Sequence, residues 1–73
     1  SEYAMKVAEQ IKRCRQKRGL TQQEVGRRLF VSRKTISGWE TGHRYPDIDA
    51  IIKLSELFEV TTDELLKGGA VTK

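Results

Sequence analysis

The side chains best suited to chemistry in this 73-residue chain lie in one short stretch, which follows a helix-capping serine. Arg33, Lys34 and Ser37 are spaced so that they share one side of a helix beginning after Ser32. An arginine so placed can bind guanine O6 and N7, a lysine can bind guanine or a phosphate, and a hydroxyl can bind either. We therefore interpret these three residues as candidate contacts to DNA bases. The alternative is that the charges only keep the surface soluble.

Gly38 belongs to the same group for a different reason. A glycine inside a helix costs about 1 kcal/mol relative to alanine. That cost is offset if the helix backbone must approach a partner closely, which only glycine permits. We predict that Gly38 lies against the bases, and the alternative is a neutral surface glycine.

A second set of polar residues surrounds this face and is suited to phosphate. Gln22 lies at the start of the preceding helix, where free N–H groups attract anions, and Thr35 offers a hydroxyl. The loop that follows adds His43, Arg44 and Tyr45, of which Arg44 is the strongest candidate for a phosphate contact. For Tyr45 the alternative is a half-buried ring packed against the following proline.

The elements that must position these residues are predicted to be helices, because apolar residues recur every three or four residues rather than at every second residue. We predict five helices, at about 4–17, 22–30, 33–41, from 47 onward and from 61 onward. Capping boxes at 21–24 and 61–64 mark two of the helix starts. The fourth helix is the most apolar and is predicted to be central to the core. The sequence predicts an all-α, compact five-helix bundle over 1–67, with 68–73 as a flexible tail or linker.

The link between the second and third helices is only about three residues, Phe30 to Ser32. A link of this length forces two helices to cross steeply, as in a helix-turn-helix, so that the second one projects from the body. Gly26 lies where the two helices would touch, and a side chain there would push them apart. The exposed face of the third helix is then free to enter a major groove.

Charge is distributed unevenly along the chain. Residues 1–46 carry a net charge of +7 and residues 47–73 a net charge of −3, within a total of +4. A basic front half favours a polyanionic partner on one side of the fold, although charge alone does not separate this from a solvated basic surface. Arg27 and Arg28 would add to a non-specific positive field.

Several classes of function are excluded or disfavoured by composition. One cysteine, Cys14, and one histidine cannot form a disulfide within the chain or a structural zinc site, so no metal and no cofactor is expected. There is no apolar run of about 18 residues and no secretion signal at the start, so we expect no membrane partner and a cytoplasmic location. The sequence has no paired carboxylates near an apolar pocket and no glycine-rich phosphate-binding loop. We therefore expect that the protein is not an enzyme.

The sequence also resembles a known family. Residues 19–25, GLTQQEV, are similar to the "GLTQ-E-L" opening of the phage-repressor/Cro (XRE) family of helix-turn-helix DNA-binding domains. Residues 31–42, VSRKTISGWETG, resemble its "VS---IS-WE-G" recognition helix, and 45–61 and 63–66 resemble its fourth and fifth helices. The resemblance covers about residues 8–67. It implies a lambda-repressor-like fold and a transcriptional regulator, usually a repressor, on two-fold operators.

The resemblance also assigns roles to individual residues. Arg15 and Glu40 match a buried ion pair that joins the first helix to the third, and Gln22 matches a glutamine that binds the DNA backbone. The chain departs from the pattern at Phe30 and Glu59, where the family usually has glycine. A non-glycine residue in a left-handed conformation costs roughly 1 kcal/mol at each position.

Two further alternatives concern partners. A protein-interaction module, such as the antitoxin of a toxin–antitoxin pair, can use the same fold, but it should lose the basic and small residues of the reading helix. RNA binding would call for an aromatic stacking platform that the sequence lacks. For DNA we expect a monomer or weak dimer in solution that pairs as a homodimer on its operator. A further domain or an effector site could follow Lys73.

Overall fold

A computed structural model describes residues 2–68 and contains five helices in that range. They are α1 (Glu2–Lys17), α2 (Gln22–Leu29), α3 (Arg33–Thr41), α4 (Ile48–Phe58) and α5 (Thr62–Lys67). The all-α prediction is confirmed, and the first helix begins two residues earlier than predicted. An acidic residue in its first turn, Glu2, complements the helix dipole there. Of the predicted tail, Gly68 caps α5 with a φ of 79°, and residues 69–73 lie outside the described residues.

The helix starts follow the capping signals. Thr21 accepts from the backbone N–H of Glu24, and the Glu24 carboxylate accepts in return from the backbone N–H of Thr21 at 2.8 Å. This hydrogen bond from the Thr21 backbone is the main cause that lowers the pKa of Glu24. Thr61 and Glu64 form the same reciprocal pair at the start of α5. Both predicted capping boxes are therefore confirmed.

The core is a single cluster of apolar side chains to which all five helices contribute. Its buried members are Val7, Ile11, Val25, Leu29, Ile36, Trp39, Ile51, Leu54, Phe58 and Leu65. Helix α1 packs against α3 and α5, while α2 packs against α3. The central position predicted for α4 is wrong in part, because Ile48 is 77% exposed and Ile52 is 43% exposed. Only one side of α4 is in the core, because Ile51, Leu54 and Phe58 are buried whereas Ile48 and Ile52 are exposed.

Cys14 packs against the edge of this core and is half-buried, as a small apolar residue would be. Burial raises the pKa of its thiol, and the nearby Glu64 carboxylate raises it further. The protonated thiol is thereby favoured at neutral pH. Among the described residues, no helix combines the length and the apolar character needed to cross a membrane. Within the same range, no three potential metal-ligating side chains of the His, Cys, Asp or Glu type cluster together.

The turn between α2 and α3 depends on two local features. Phe30 has a φ of 61°, and the N–H groups of Phe30 and Val31 donate back to the carbonyls of Arg27 and Gly26, which closes a Schellman motif. A Cβ on Gly26 would lie 2.7 Å from the carbonyl oxygen of Val31, so only glycine fits this crossing. The close packing of α3 on α2 therefore follows from one glycine and one aromatic residue in a left-handed conformation.

Replacing Phe30 by glycine tests the cost of that turn. Because the Phe30 side chain is 90% exposed, its loss removes little buried area, whereas glycine relieves the left-handed strain. We expect Phe30→Gly to raise the free energy of unfolding by about 1 kcal/mol in urea denaturation. Phe30→Ala removes the same ring and keeps the strain, so it serves as the matched control. Equal stability of the two variants would show that the turn is not strained.

Candidate nucleic-acid interface

Helix α3 presents one buried side and one exposed side. Ile36, Trp39 and Glu40 are buried against the body of the protein. At 100° per residue, the middle of the opposite side is occupied by Lys34, Gly38 and Thr41, and Arg33 and Ser37 lie at its edge. The residues predicted to contact bases are thus brought together on one exposed helix surface.

Capping fixes where this surface begins. The Ser32 hydroxyl accepts from the backbone N–H of Thr35 at 3.1 Å, and the hydroxyls of Ser32 and Thr35 share a hydrogen bond of 3.0 Å. Gly42 ends the helix with a φ of 83°. Thr35 is half-buried and its hydroxyl is engaged with the cap, so it lies beside the exposed face rather than at its centre.

An ion pair ties α3 to α1. Arg15 Nε lies 2.6 Å from Glu40 Oε2, and Arg15 Nη2 donates to Glu40 Oε1 at 3.1 Å. The third nitrogen of the guanidinium, Nη1, donates a hydrogen bond to the carbonyl of Leu20 at 2.9 Å. The side chains of Arg15 and Glu40 are only 13% and 3% exposed. This planar, two-bond contact restrains both the position and the rotation of α3.

Gln22 extends the pair to the exposed surface. Its Nε2 donates to Glu40 Oε1 at 3.0 Å, and its Oε1 accepts from Arg33 Nη1 at 3.2 Å. Arg15, Glu40, Gln22 and Arg33 therefore form one hydrogen-bonded series, which we call the polar chain. Sequence reasoning placed Gln22 at a phosphate and missed its bond to Arg33. The short link indicates only that the end of α2 lies near the start of α3, so no local signal predicts this contact from the first residue of α2.

Gly38 is covered by the loop that follows α3. A Cβ on Gly38 would lie 2.8 Å from Cδ and 2.9 Å from Cγ of Arg44, so the arginine stem occupies the space that a side chain would fill. The backbone N–H of Arg44 also donates to the carbonyl of Gly38 at 3.1 Å. The sequence predicts a close approach of a partner at Gly38, but it does not predict this contact with Arg44.

The other loop residues are held nearby. His43 Nδ1 lies 2.8 Å from the hydroxyl of Thr41, which also donates to the carbonyl of Gly38 at 3.2 Å. Tyr45 is 47% exposed and lines two surface cavities. The loop therefore wraps the C-terminal half of α3 instead of extending away from it.

The positive charges of this surface are not neutralised within the described part of the chain. Ion pairs there involve Arg15, Arg18 and Lys67. None of the pairs formed within residues 2–68 uses Arg33, Lys34 or Arg44. These exposed cations leave a positive field on the α3 side, which suits a polyanion.

Comparison with known proteins places this arrangement among helix-turn-helix proteins. A family model described as helix-turn-helix matches residues 11–65. The chain is 41% identical over 64 residues to the HTH-type transcriptional activator BcrR of Enterococcus faecalis, covering 88% of this chain and 31% of that protein. It is 39% identical over 69 residues to the HTH-type transcriptional regulator ImmR of Bacillus subtilis, covering 94% of this chain and 54% of that protein. The chain thus spans about a third of the length of the first of these curated relatives and about half of the length of the second.

Solved structures are similar over a larger share of their length. The P22 c2 repressor, solved in complex with a synthetic operator, superposes with a TM-score of 0.80 at 32% identity, covering 85% of this chain and 94% of the repressor chain. A transcriptional regulator from Listeria innocua superposes with a TM-score of 0.79 at 28% identity, covering 92% of this chain and 61% of that one. The predicted resemblance to phage repressors and the predicted fold are both confirmed.

Breaking the ion pair should destabilise the protein strongly. We expect Glu40→Gln to lower the free energy of unfolding by about 3–5 kcal/mol, because it leaves the Arg15 guanidinium buried without a counter-charge. Asp63→Asn is the control, since its 3.9 Å contact with Lys67 is exposed and should change stability by less than about 0.5 kcal/mol. Equal effects of the two substitutions in thermal or urea unfolding would contradict a restraining role for the pair.

Proposed function

Because the chain belongs to the helix-turn-helix family, we propose that it is a sequence-specific duplex DNA-binding domain of a transcriptional regulator. The observation that carries this proposal is the exposed side of α3, where basic and small residues lie opposite a fully packed side. A single α-helix fits the width of the major groove. A projecting helix with this composition would place its polar groups against base edges.

Arg33, Lys34 and Ser37 are the proposed base contacts, and Gly38 lies among them beneath the stem of Arg44. Arg33 lies at the first turn of α3, the end that enters the groove in helix-turn-helix docking. The Gln22 side chain accepts a hydrogen bond from Nη1 of the Arg33 guanidinium. The remaining donors of that guanidinium are left for guanine O6 and N7. The polar chain would thus orient Arg33 before DNA arrives, which lowers the entropy lost on binding.

Phosphate contacts would come from the two sides of the groove. The first backbone N–H groups of α2 lack helical partners, and the amide of Gln22 retains one free hydrogen after its bond to Glu40. Thr35, His43 and Tyr45 complete the set from the cap of α3 and from its loop. Contacts of this kind fix the register of a protein on the duplex without reading its sequence.

We further propose that two copies pair on a two-fold operator. One recognition helix covers only a few base pairs, and two half-sites one helical turn apart are about 34 Å from each other. An apolar groove of about 440 Å³ adjoins the loop after α3 and is suited to a second copy. Its lining residues are Tyr45, Pro46, Ile48, Ile51, Ile52, Thr62 and Leu66. Asp49 and Lys53 follow Ile48 and Ile52 on α4, so a two-fold contact could bring opposite charges together.

Repression is the simplest outcome of operator binding, because occupied promoter DNA is closed to polymerase. The relatives are bacterial regulators, so we place the chain in the cytoplasm and assign it no enzymatic activity. The antitoxin alternative is not favoured. Arg33 and Lys34 are exposed on α3 and take part in no ion pair within the described part of the chain. A helix that no longer bound DNA would not be expected to keep such exposed basic residues.

A salt-dependent titration with Arg33→Ala tests the base-reading claim. On an operator selected from random duplexes, we expect the wild type to bind at least ~10³-fold more tightly than to scrambled DNA. Arg33→Ala should lose roughly 1–3 kcal/mol on the operator and little on scrambled DNA. Lys67→Ala removes the same charge from α5 and should leave both affinities nearly unchanged. Equally weak binding to all DNA, with no effect of Arg33→Ala, would leave only a non-specific charge field.

The pairing proposal has its own test. We expect Ile48→Asp to bind a single half-site normally but to lose more than about tenfold on a full operator, because burial of an isoleucine contributes roughly 1.5–3 kcal/mol. Inserting half a helical turn between the half-sites should abolish the same cooperativity in the wild type. If Ile48→Asp binds the full operator as well as the wild type does, the α4 face is not the contact between copies.

A further inference from the structure

We propose that Arg44 reads a base edge in the major groove, because its side chain is seated on α3 in the place of the side chain that Gly38 lacks. This inference rests on the proposed DNA-binding function. Charge and loop position alone would assign Arg44 to a phosphate beside His43 and Tyr45. The packing of its stem on α3 points to a different target.

Gly38 lies on the side of α3 that faces away from the core. Three residues of α3 are buried, Ile36, Trp39 and Glu40, and Gly38 lies nearly opposite their mean direction on the helix. Lys34, one turn earlier, and Thr41, one turn later, are both exposed. Whatever covers the Cα of Gly38 therefore lies near the middle of the surface that would enter the groove.

The group that covers Gly38 is the stem of Arg44. The position of a Cβ on Gly38 is 3.2 Å from Cβ, 2.9 Å from Cγ and 2.8 Å from Cδ of Arg44, so three successive carbons pass over the glycine. The backbone of Arg44 is fixed as well, since its N–H donates to the Gly38 carbonyl at 3.1 Å. The stem is held at both its backbone and its methylenes, and only the guanidinium extends beyond this contact.

The position of the Arg44 side chain on α3 favours a base edge over a phosphate as its target. Phosphates line the rims of the groove and are reached from helix ends and from the surrounding loops, whereas base edges are reached from the middle of the inserted face. A guanidinium carried on an immobilised stem loses less rotamer freedom on binding, and its planar fork matches guanine O6 and N7. The contact also accounts for a glycine inside α3, because any side chain at position 38 would displace Arg44.

Four variants separate the two roles of Arg44: Arg44→Ala, Arg44→Lys, Gly38→Ala and the Gly38→Ala/Arg44→Ala double variant. If Arg44 reads a base, Arg44→Ala should weaken binding to the selected operator by about 5- to 150-fold and change binding to scrambled DNA far less. Arg44→Lys retains the charge but loses the planar fork, so it should remain at least about fivefold weaker on the operator. Repeating the operator selection with Arg44→Ala should relax the preference at one base pair.

Gly38→Ala tests the seat itself. Its Cβ should displace the Arg44 stem and relax the preference at the same base pair, while alanine inside a helix should raise the melting temperature measured by circular dichroism. Adding Gly38→Ala to Arg44→Ala should cause no further loss of operator affinity, because the displaced group is already absent. Arg28→Ala, an exposed cation on α2, is the matched control and should relax no base preference.

Other outcomes overturn the proposal. If Arg44→Ala weakens operator and scrambled DNA equally, lowers the slope of log K against log salt by about 0.9, and is rescued by lysine, Arg44 binds only a phosphate. In that case the proposed function stands and this inference fails. If the wild type does not distinguish operator from scrambled DNA, the proposed function fails, and this inference fails with it.

Discussion

The ion pair between Arg15 and Glu40 is the contact on which the arrangement of the reading surface depends. It joins α1 to α3 through two parallel hydrogen bonds, and both side chains are largely removed from solvent. Buried pairs of this kind add little net stability, because desolvation of the two charges offsets their attraction. Their benefit is geometric. Glu40 also accepts from Gln22, which holds Arg33, so a restraint deep in the fold extends to the first residue of the exposed face.

The rest of the domain supports this geometry within a small core. A chain of this size buries a limited apolar area, so local signals contribute a large part of what defines its helices. Two capping boxes and the close contact at Gly26 set the helix starts and the crossing of α2 and α3. The left-handed residues Phe30 and Glu59 store strain at two helix ends. Arg18 pairs with Glu59 at 2.9 Å, but this contact is exposed and adds little stability.

Much of this could be predicted from the sequence, since capping and periodicity are local signals. The five helices, the buried Trp39 and the need for glycine at position 26 follow from such patterns. The contact of Arg44 with Gly38 could not be predicted, because it depends on how a six-residue loop folds back on its helix. The exposure of Ile48 was also missed. Apolar periodicity predicts which side of a helix is apolar, but it does not predict whether that side packs within the chain or against a second copy.

Chemical substitution of the operator shows whether α3 reads bases from the major groove. Replacing guanines by 7-deazaguanine removes the N7 acceptor of the major groove, whereas replacing them by inosine removes only the minor-groove amino group. If α3 reads these bases, 7-deazaguanine at one or more positions should weaken binding by about tenfold, while inosine at the same positions should have little effect. Loss of binding with inosine and none with 7-deazaguanine would contradict major-groove reading by α3, because recognition would then take place in the minor groove.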